Sequence, residues 1–366
     1  MMSLRPKDLY QRQTSLAELG VVGQAKITNA RVVIIGCGGL GGAAAVYLAG
    51  SGIGHLHLID FDQVDASNLP RQVYFTPKDI GKNKAKTLAQ YLRTMNPFIT
   101  VSHSKERIDK ENILGELDQG AYIVDCTDHL YTKYLINDAC VLKSKPLIYG
   151  SLYKFTGYVA TFNALVNGKI TGNLRDAFPE FPKEHIPNCA EIGTLNTIVG
   201  LIGIQQANEV LKLVTGLGAP LINQLLIYNS LTNQQHKIKY HPISTRQQIK
   251  ERFESSTYRD EPPLAQNAAW TISAAQLKEA LKNNRKVQII SVIEDISTSL
   301  PFEVSAVIPL SKFDELVQFI EDEMDQKQPI FIVCQRGISS YQATSKLKKI
   351  NPALSVFSLT NGINTY

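Results

Sequence analysis

The stretch Arg31–Gly41 reads RVVIIGCGGLG and decides the fold of the first part of the chain. Its β-branched start predicts a buried strand, and residues 36–41 fit the pattern G-x-G-x-x-G. The small, apolar residues 38–50 predict a helix packed closely on a sheet, and residues 55–60, HLHLID, predict a second strand. A strand, a helix and a strand within about thirty residues predict a βαβ unit with parallel strands.

The glycines of this loop predict a phosphate-binding turn. Gly36 permits the tight turn, Gly38 lets the backbone approach a phosphate, and Gly41 lets the helix sit on the sheet. The following helix N-terminus offers free N–H groups, and Asp60, which ends the second strand, can accept ribose hydroxyls. Taken alone, the pattern fits NAD(H) or FAD as well as ATP, and a purely structural glycine-rich turn is the alternative.

The alternation of strands and helices continues after this unit. The predicted strands are 100–102, 122–126, 146–149, 158–162, 224–230 and 235–240, and the predicted helices are 82–95 and 131–142. This order predicts an α/β domain with a Rossmann-like, doubly wound sheet over residues 1–245, crossed by a surface loop at 172–187.

A second, smaller α/β pattern begins near Trp270. Residues 246–268 are polar and contain Glu261-Pro262-Pro263, which predicts a linker. Residues 269–366 are therefore expected to form a small α/β domain of their own.

The composition argues against several classes of partner. The net charge of +5 is weak and no dense Lys/Arg stripe is present, so we expect no nucleic acid. Residues 198–214, the most apolar candidate span, contain Glu209 and Lys212, so we expect no membrane insertion. The five cysteines form no CxxC pair and the N-terminus has no apolar signal core, which predicts a cytoplasmic location.

The residues that follow the glycine loop favour a triphosphate over a dinucleotide. Arg71 and Lys84 can neutralise phosphate charge, and Asp128 can hold Mg²⁺ through its carboxylate oxygens. An NAD- or FAD-dependent oxidoreductase has no use for these three residues. Each alone would be an ordinary solvated charge or, for Asp128, a helix cap.

Seven motifs occur in the order found in the MoeB/ThiF family, which is related to the ubiquitin-activating enzymes, and the chain resembles that family over residues 8–245. The motifs are YQRQ (10–13), GCGGLG (36–41), DFD (60–62), NLPRQ (68–72), GKNKA (81–85), DCTD (125–128) and PNCAEIG (187–193).

The resemblance implies an adenylyltransferase that uses ATP and Mg²⁺. The C-terminal carboxylate of a small ubiquitin-like carrier protein ending in Gly-Gly attacks the α-phosphate, pyrophosphate leaves and an acyl-adenylate remains. By position, Asp60 resembles the ribose ligand, Asn68, Arg71 and Lys84 resemble phosphate ligands, and Asp128 resembles the residue that positions Mg²⁺. The other residues implied at the nucleotide are Gly36, Gly38, Gly39, Gly41, Asp62 and Gln72.

Two further roles are implied by the resemblance. Arg12 resembles an arginine that reaches the phosphates from the second subunit of a homodimer. Cys189 occupies a position at which some relatives form a covalent link to the carrier, and an ordinary, partly buried cysteine is the alternative.

The chain departs from the family at its zinc site. Many relatives bind a structural zinc through two CxxC pairs, but this chain has TGNLR at Thr171–Arg175 and YHPIS at Tyr240–Ser244. Neither segment contains cysteine, so a four-thiolate site is impossible there and we expect no structural zinc.

The second domain resembles rhodanese. Its strand PIFIV (329–333) ends at Cys334, and CQRGISS leads into a helix whose N-terminus can stabilise a thiolate or persulfide. Ser291-Val292-Ile293 replaces the usual Asp-Val-Arg, and Ser339 replaces the usual loop arginine. These changes leave open a degenerate domain that binds the carrier or dimerises.

The fusion implies that persulfide sulfur on Cys334, supplied by a persulfide donor, converts the acyl-adenylate into a thiocarboxylate. Such a carrier would serve molybdopterin, thiamine or thiolated-tRNA synthesis. The remaining alternatives are a non-catalytic carrier-binding or regulatory protein, and an enzyme that adenylates a peptide acceptor.

Overall fold

The computed structural model describes residues 4–166, 168–179, 193–258, 267–283, 287–293, 300–363 and 366. The chain divides into two compact units. The first contains the described residues up to 179 together with 194–258, and the second contains the described residues from 267 onward.

The first unit is an α/β layer structure around one large sheet. Its strands are β1 (Arg31–Ile35), β2 (His55–Ile59), β3 (Thr100–Ser104), β4 (Tyr122–Asp125), β5 (Leu147–Tyr153), β6 (Thr156–Phe162), β7 (Leu165–Val166), β8 (Lys169–Ile170), β9 (Gln224–Asn229) and β10 (Gln234–Lys239). Its helices are α1 (Pro6–Leu9), α2 (Gln11–Thr14), α3 (Gly20–Asn29), α4 (Gly39–Ser51), α5 (Lys84–Met95), α6 (Ile113–Leu117), α7 (Leu130–Lys143), α8 (Leu174–Ala177), α9 (Asn196–Thr215) and α10 (Arg246–Ser255).

The sheet has the order β10-β9-β6-β5-β4-β1-β2-β3. Strands β1 to β5 are parallel, whereas β6, β9 and β10 run antiparallel to their neighbours. The parallel strands take the order 3-2-1-4-5, so successive connections leave β1 in opposite directions and open a crevice at the carboxyl ends of β1 and β4. The predicted doubly wound α/β fold is confirmed.

Helix α4 packs against its neighbour α9 through contacts that require glycine. A Cβ atom on Gly203 of α9 would lie 2.4 Å from the carbonyl oxygen of Leu40, and one on Gly39 would lie 2.2 Å from a methyl group of Val199. These close approaches explain the small, apolar composition of α4, and they fix its N-terminus at the end of β1.

The prediction that residues 246–268 form a linker is wrong for the first part of that range. Residues 246–255 form α10, whose Ile249 and Phe253 are buried, and Tyr258 is buried as well. The sequence RQQIKERF did not predict a buried helix, because it is polar except for two residues. These two apolar residues lie four positions apart and both face the core. Thr245 and Gln248 close a capping box at its start. Residues 259–266 lie outside the described residues.

The second unit is a small α/β structure, as predicted. Its strands are β11 (Thr271–Ile272), β12 (Gln288–Ser291), β13 (Ala306–Val307), β14 (Ile330–Val333) and β15 (Val356–Leu359), and its helices are α11 (Ala274–Asn283), α12 (Phe313–Glu323) and α13 (Ile338–Ile350). The strands form one parallel sheet of order β11-β15-β14-β12-β13. Among the described residues, no helix has the length and the apolar run that a membrane crossing needs.

Substitution of Phe253 tests whether α10 belongs to the first unit. We expect Phe253→Ala to lower the free energy of unfolding of that unit by about 3 kcal/mol, because it leaves a cavity in a packed core. Denaturant unfolding followed by circular dichroism measures the change. Lys250→Ala on the exposed face of α10 is the control, and equal effects of the two substitutions would contradict the packing.

Candidate functional site

Two glycines of the loop between β1 and α4 are required by backbone packing. Gly36 has φ +91° and donates its N–H to the carbonyl oxygen of Ile59 at 2.9 Å. A Cβ atom on Gly41 would lie 1.8 Å from the Gly36 carbonyl oxygen, so a side chain there would push the helix away from the strand.

Gly38 plays a different part, because it borders open space. It precedes the first residue of α4, and a Cβ atom there would approach only the side-chain nitrogen of Gln72, at 3.7 Å. The start of the 13-residue helix α4 is therefore uncrowded on this side, and its first N–H groups, which have no partner within the helix, are of the kind that binds anions.

Asp60 fastens the glycine loop to the end of β2. Its carboxylate accepts hydrogen bonds from the N–H of Cys37 at 2.7 Å and from the N–H of Asp62 at 2.8 Å. Burial raises the pKa of Asp60, and the nearby Lys84 partly opposes that rise. An acid held in this desolvated position next to a phosphate-type loop is typical of a binding site.

The two cations predicted from the sequence stand in different surroundings. Lys84 is buried at the start of α5, and its Nζ lies 2.9 Å from the carboxylate of Asp62. Arg71 is half-buried and donates from Nη1 to the carbonyl oxygen of Ser67 at 2.8 Å. Both side chains are therefore positioned by groups of the same edge of the sheet.

Asn68 and Gln72 lie on the segment that also carries Arg71. The buried Asn68 accepts the N–H of Asp65 at 3.1 Å and caps this turn. Gln72 is also buried, and its Oε1 has no hydrogen-bond partner within the described residues. A buried acceptor without a partner is costly, and it points to a group that the site binds.

Asp128 follows β4 on a loop fixed by a buried ion pair. Asp125 is fully buried, and one carboxylate oxygen lies 3.1 Å from the Nζ of Lys133 while the other accepts the N–H of Thr127 at 2.9 Å. Lys133 also donates to the carbonyl oxygen of Gly150 at 2.8 Å. Burial by itself lowers the pKa of Lys133, but Asp125 together with Tyr149 and Cys126 more than offsets the burial, and the net pKa of Lys133 is raised.

The sequence analysis missed Lys133. The available signal is a lysine in the first turn of the helix that follows a buried strand, eight positions after Asp125 at the end of that strand. Asp128 itself is exposed, and its carboxylate makes no hydrogen bond or ion pair within the described residues, so its oxygens are available to a cation.

The structure brings most of the predicted residues to one edge. The glycine loop, Asp60, Asp62, the segment 68–72, Lys84 and Asp128 all lie at the carboxyl ends of β1, β2 and β4. The loops after β1 and β4 touch, since a Cβ atom on Gly36 would lie 2.8 Å from the Cys126 carbonyl oxygen. Arg12 is exposed on α2 and makes no hydrogen bond or ion pair with these residues in the described part of the chain. Cys189 lies outside the described residues.

Cys37 and Cys126 lie beside this site but are packing residues. Both thiols are buried, and burial raises the pKa of each, so neither carries the thiolate that a nucleophile needs.

Cys334 occupies the corresponding strand end of the second unit. It follows β14, and its Sγ accepts the N–H of Ser340 at 3.2 Å in the first turn of α13. The Ser340 hydroxyl lies 3.3 Å from the same sulfur and 2.8 Å from the hydroxyl of Ser358. Gly337, with φ +78°, provides the turn between the strand and the helix. The buried sulfur therefore lies at a helix N-terminus, where it accepts the N–H of Ser340 and its thiol can donate to the Ser340 hydroxyl.

Comparison with known proteins places the first unit in a family. The model of the ThiF family matches residues 10–249. A probable adenylyltransferase/sulfurtransferase MoeZ of Mycobacterium tuberculosis is 32% identical over 93% of this chain and 88% of its own length. A sulfur carrier protein adenylyltransferase of Thermus thermophilus is 37% identical over 63% of this chain and 86% of its own length.

Solved structures agree with this placement. Escherichia coli MccB with MccA-N7isoASN is 27% identical, with a TM-score of 0.57, over 66% of this chain and 74% of the MccB chain. MccB with ATP is also 27% identical, with a TM-score of 0.52, over 62% of this chain and 67% of the MccB chain.

Alanine substitutions at Gly41 and at Gly38 distinguish a tightly packed glycine from an uncrowded one. We expect Gly41→Ala to lower the free energy of unfolding by about 1–3 kcal/mol, because the new methyl group collides with the backbone of Gly36. Gly38→Ala should stay close to wild type, because its methyl group meets no atom closer than 3.7 Å. Urea unfolding measures both variants, and equal losses would show that the N-terminus of α4 is closed.

Proposed function

The chain belongs to the ThiF family, and we therefore propose that it is an ATP-dependent adenylyltransferase acting on the C-terminal carboxylate of a ubiquitin-like sulfur-carrier protein. The observation that carries this proposal is the set of groups at one sheet edge. An open helix N-terminus is accompanied there by Arg71 and Lys84, and by the exposed carboxylate of Asp128. Two cations and one free acid match the charge of a metal-bound triphosphate.

Each residue then has a role set by its position. Asp60 accepts the ribose hydroxyls, the N-terminus of α4 receives the phosphates beside Gly38, and Asn68, Arg71 and Lys84 neutralise their charge. The donor set fits Mg²⁺, because the oxygens of Asp128 are exposed and unpaired within the described residues. Bound Mg²⁺ would neutralise phosphate charge at this position.

The chemistry requires positioning more than covalent participation. A carboxylate oxygen of the carrier attacks the α-phosphorus of ATP, the bond to the β-phosphate oxygen breaks, and pyrophosphate leaves with the electron pair. The ion pair with Asp62 holds the ammonium group of Lys84 in place before the phosphates arrive. Carrier specificity follows from the fit of the extended Gly-Gly tail into the crevice.

We assign the sulfur step to Cys334, in a second unit that we propose is rhodanese-like. The terminal sulfur of a Cys334 persulfide, loaded by a sulfane-sulfur donor, attacks the acyl carbon and AMP leaves, which joins carrier and Cys334 by an acyl disulfide. A second thiol then supplies two electrons by forming a disulfide, and the carrier leaves as a thiocarboxylate. The donors around the sulfur and the name of the M. tuberculosis relative support this step.

Carrier-dependent ATP–pyrophosphate exchange tests the proposal. With a small Gly-Gly-ending carrier, we expect Arg71→Ala and Asp128→Ala to lower exchange about 100-fold or more, because each loses charge stabilisation in the transition state. Cys334→Ala should retain exchange but lose transfer of sulfur from thiosulfate to cyanide. Arg252→Ala and Asp109→Ala, both exposed and neither among the residues assigned to the nucleotide, are the matched controls.

Two outcomes would redirect the assignment. If ATP binds but no candidate carrier supports exchange, a peptide acceptor replaces the carrier, and the solved complex of MccB with MccA supplies the next substrate to try. If ATP does not bind at all, the chain is a carrier-binding or regulatory protein.

We also propose a homodimer in which Arg12 completes the site of the partner subunit. An equal mixture of Arg12→Ala and Arg71→Ala should then regain about a quarter of wild-type exchange, because about half of all dimers pair the two variants and each such dimer holds one intact site of two. Each variant alone should be nearly inactive. Mixing Arg71→Ala with Asp128→Ala is the control, since both residues serve the same subunit's site and no activity should return. Absence of recovery in the first mixture would contradict the role of Arg12 across the dimer.

A further inference from the structure

The two segments where the family resemblance implies paired cysteines lie side by side, although neither contains one. Gly172 donates its N–H to the side-chain oxygen of Asn223 at 2.8 Å, and Tyr240 donates its N–H to the carbonyl oxygen of Asn223 at 3.1 Å. A Cβ atom on Gly172 would lie 2.8 Å from the Tyr240 ring. Residues 171–176 therefore lie beside residues 240–245, as they would if both segments bound one metal ion.

The carboxylate of Asp176 joins these segments directly. One oxygen accepts the N–H groups of Ile243 at 3.1 Å and Ser244 at 2.8 Å. The other accepts the backbone N–H and the side-chain Nδ2 of Asn173, each at 2.8 Å. Asp176 is only 7% exposed, so its carboxylate is largely shielded from water.

We infer that Asp176 is a metal-free clasp, which holds residues 171–176 against residues 240–245 where relatives use zinc. The donors around it are amide N–H groups, which bind a carboxylate and cannot ligate zinc. Among the described residues, no group of three or more His, Cys, Asp or Glu side chains is arranged to hold a metal ion. The nearby His241 is exposed and stands without further ligands of that kind.

A second buried network supports the clasp from α7. The side-chain oxygen of Asn137 accepts the N–H of Leu174 at 2.8 Å, and Arg175 forms an ion pair with Asp138 at 2.6 Å. Tyr258 donates its hydroxyl proton to Asp138, and burial raises the pKa of Tyr258, so that proton is retained. The clasp attaches the chain just before α10 to the rest of the first unit, and this network attaches the chain just after α10.

The clasp has a consequence for both ends of the segments that it joins. It fixes α8 just before residues 180–192, which carry Cys189, and it fixes Thr245 at the start of α10. A carboxylate held by four hydrogen bonds depends on neither the zinc supply nor the redox state of cysteines, so the fold of this domain should be insensitive to chelators and thiol reagents.

Metal content and hydrogen exchange of the full-length wild-type protein test the inference first. We expect well under 0.1 zinc per chain by atomic emission, and no shift of the melting temperature with a chelator. The amides of Ile243 and Ser244 should exchange at least about tenfold slower than amides of exposed loops. One zinc per chain, or unprotected amides at 243 and 244, would overturn the clasp.

A matched pair of substitutions then assigns the protection to the carboxylate. Asp176→Asn should speed exchange at 243 and 244 about tenfold or more and lower the melting temperature by about 4 °C. Asp109→Asn, in which an exposed carboxylate accepts only the local N–H groups of residues 111 and 112, should leave both readouts unchanged. Ser244→Ala keeps the backbone donor and should behave as wild type. Equal behaviour of Asp176→Asn and Asp109→Asn would refute the assignment, and none of these readouts depends on adenylation.

Discussion

The candidate nucleotide site depends on a contact that only glycine permits. With Gly41 almost touching the carbonyl oxygen of Gly36, α4 begins directly at the end of β1. Gly42 leaves room on the next face, where a Cβ atom would lie 1.5 Å from the Tyr74 ring, and the Tyr74 hydroxyl donates to the carbonyl oxygen of Gly38. Contacts with α4 and with the segment that carries Arg71 therefore both fix the loop. The N–H groups of the loop can then bind a ligand without further rearrangement.

Buried charges position the exposed ones around that loop. Asp125 and Lys133 are both removed from water, which is costly, and their mutual attraction and the bonds to Thr127 and Gly150 offset the loss. The result is a rigid base for Asp128, which stays free for a cation. Lys84 is likewise buried with only its partner Asp62 exposed. Placing the scaffold charges beneath the surface keeps the site ordered before any phosphate binds.

The two halves of the proposed reaction use the same physical arrangement on separate sheets. In each unit, a parallel strand ends at a glycine-containing turn, and a helix of 13 residues presents its N-terminus to the reacting group. The proposal places a phosphate at the first helix N-terminus and persulfide sulfur at the second, because the helix dipole favours negative charge of either kind. The clasp at Asp176 uses buried amide donors in the same way, with the anion supplied by the chain itself.

The sequence by itself determined the doubly wound fold, the nucleotide loop and most of the residues that meet at its edge. These depend on local periodicity, on glycine spacing and on the rule that ligands bind at the carboxyl ends of parallel strands. It did not reveal Lys133, the burial of α10 or the bonds of Asp176, which only the tertiary structure decided. Each joins positions far apart in the chain or buries a polar side chain, as when Asp176 reaches residues 243 and 244. Local sequence does not reveal such pairings, because these features are typical of solvent-exposed segments. The lysine, the helix with two apolar residues and the aspartate meet their buried partners only in the folded chain.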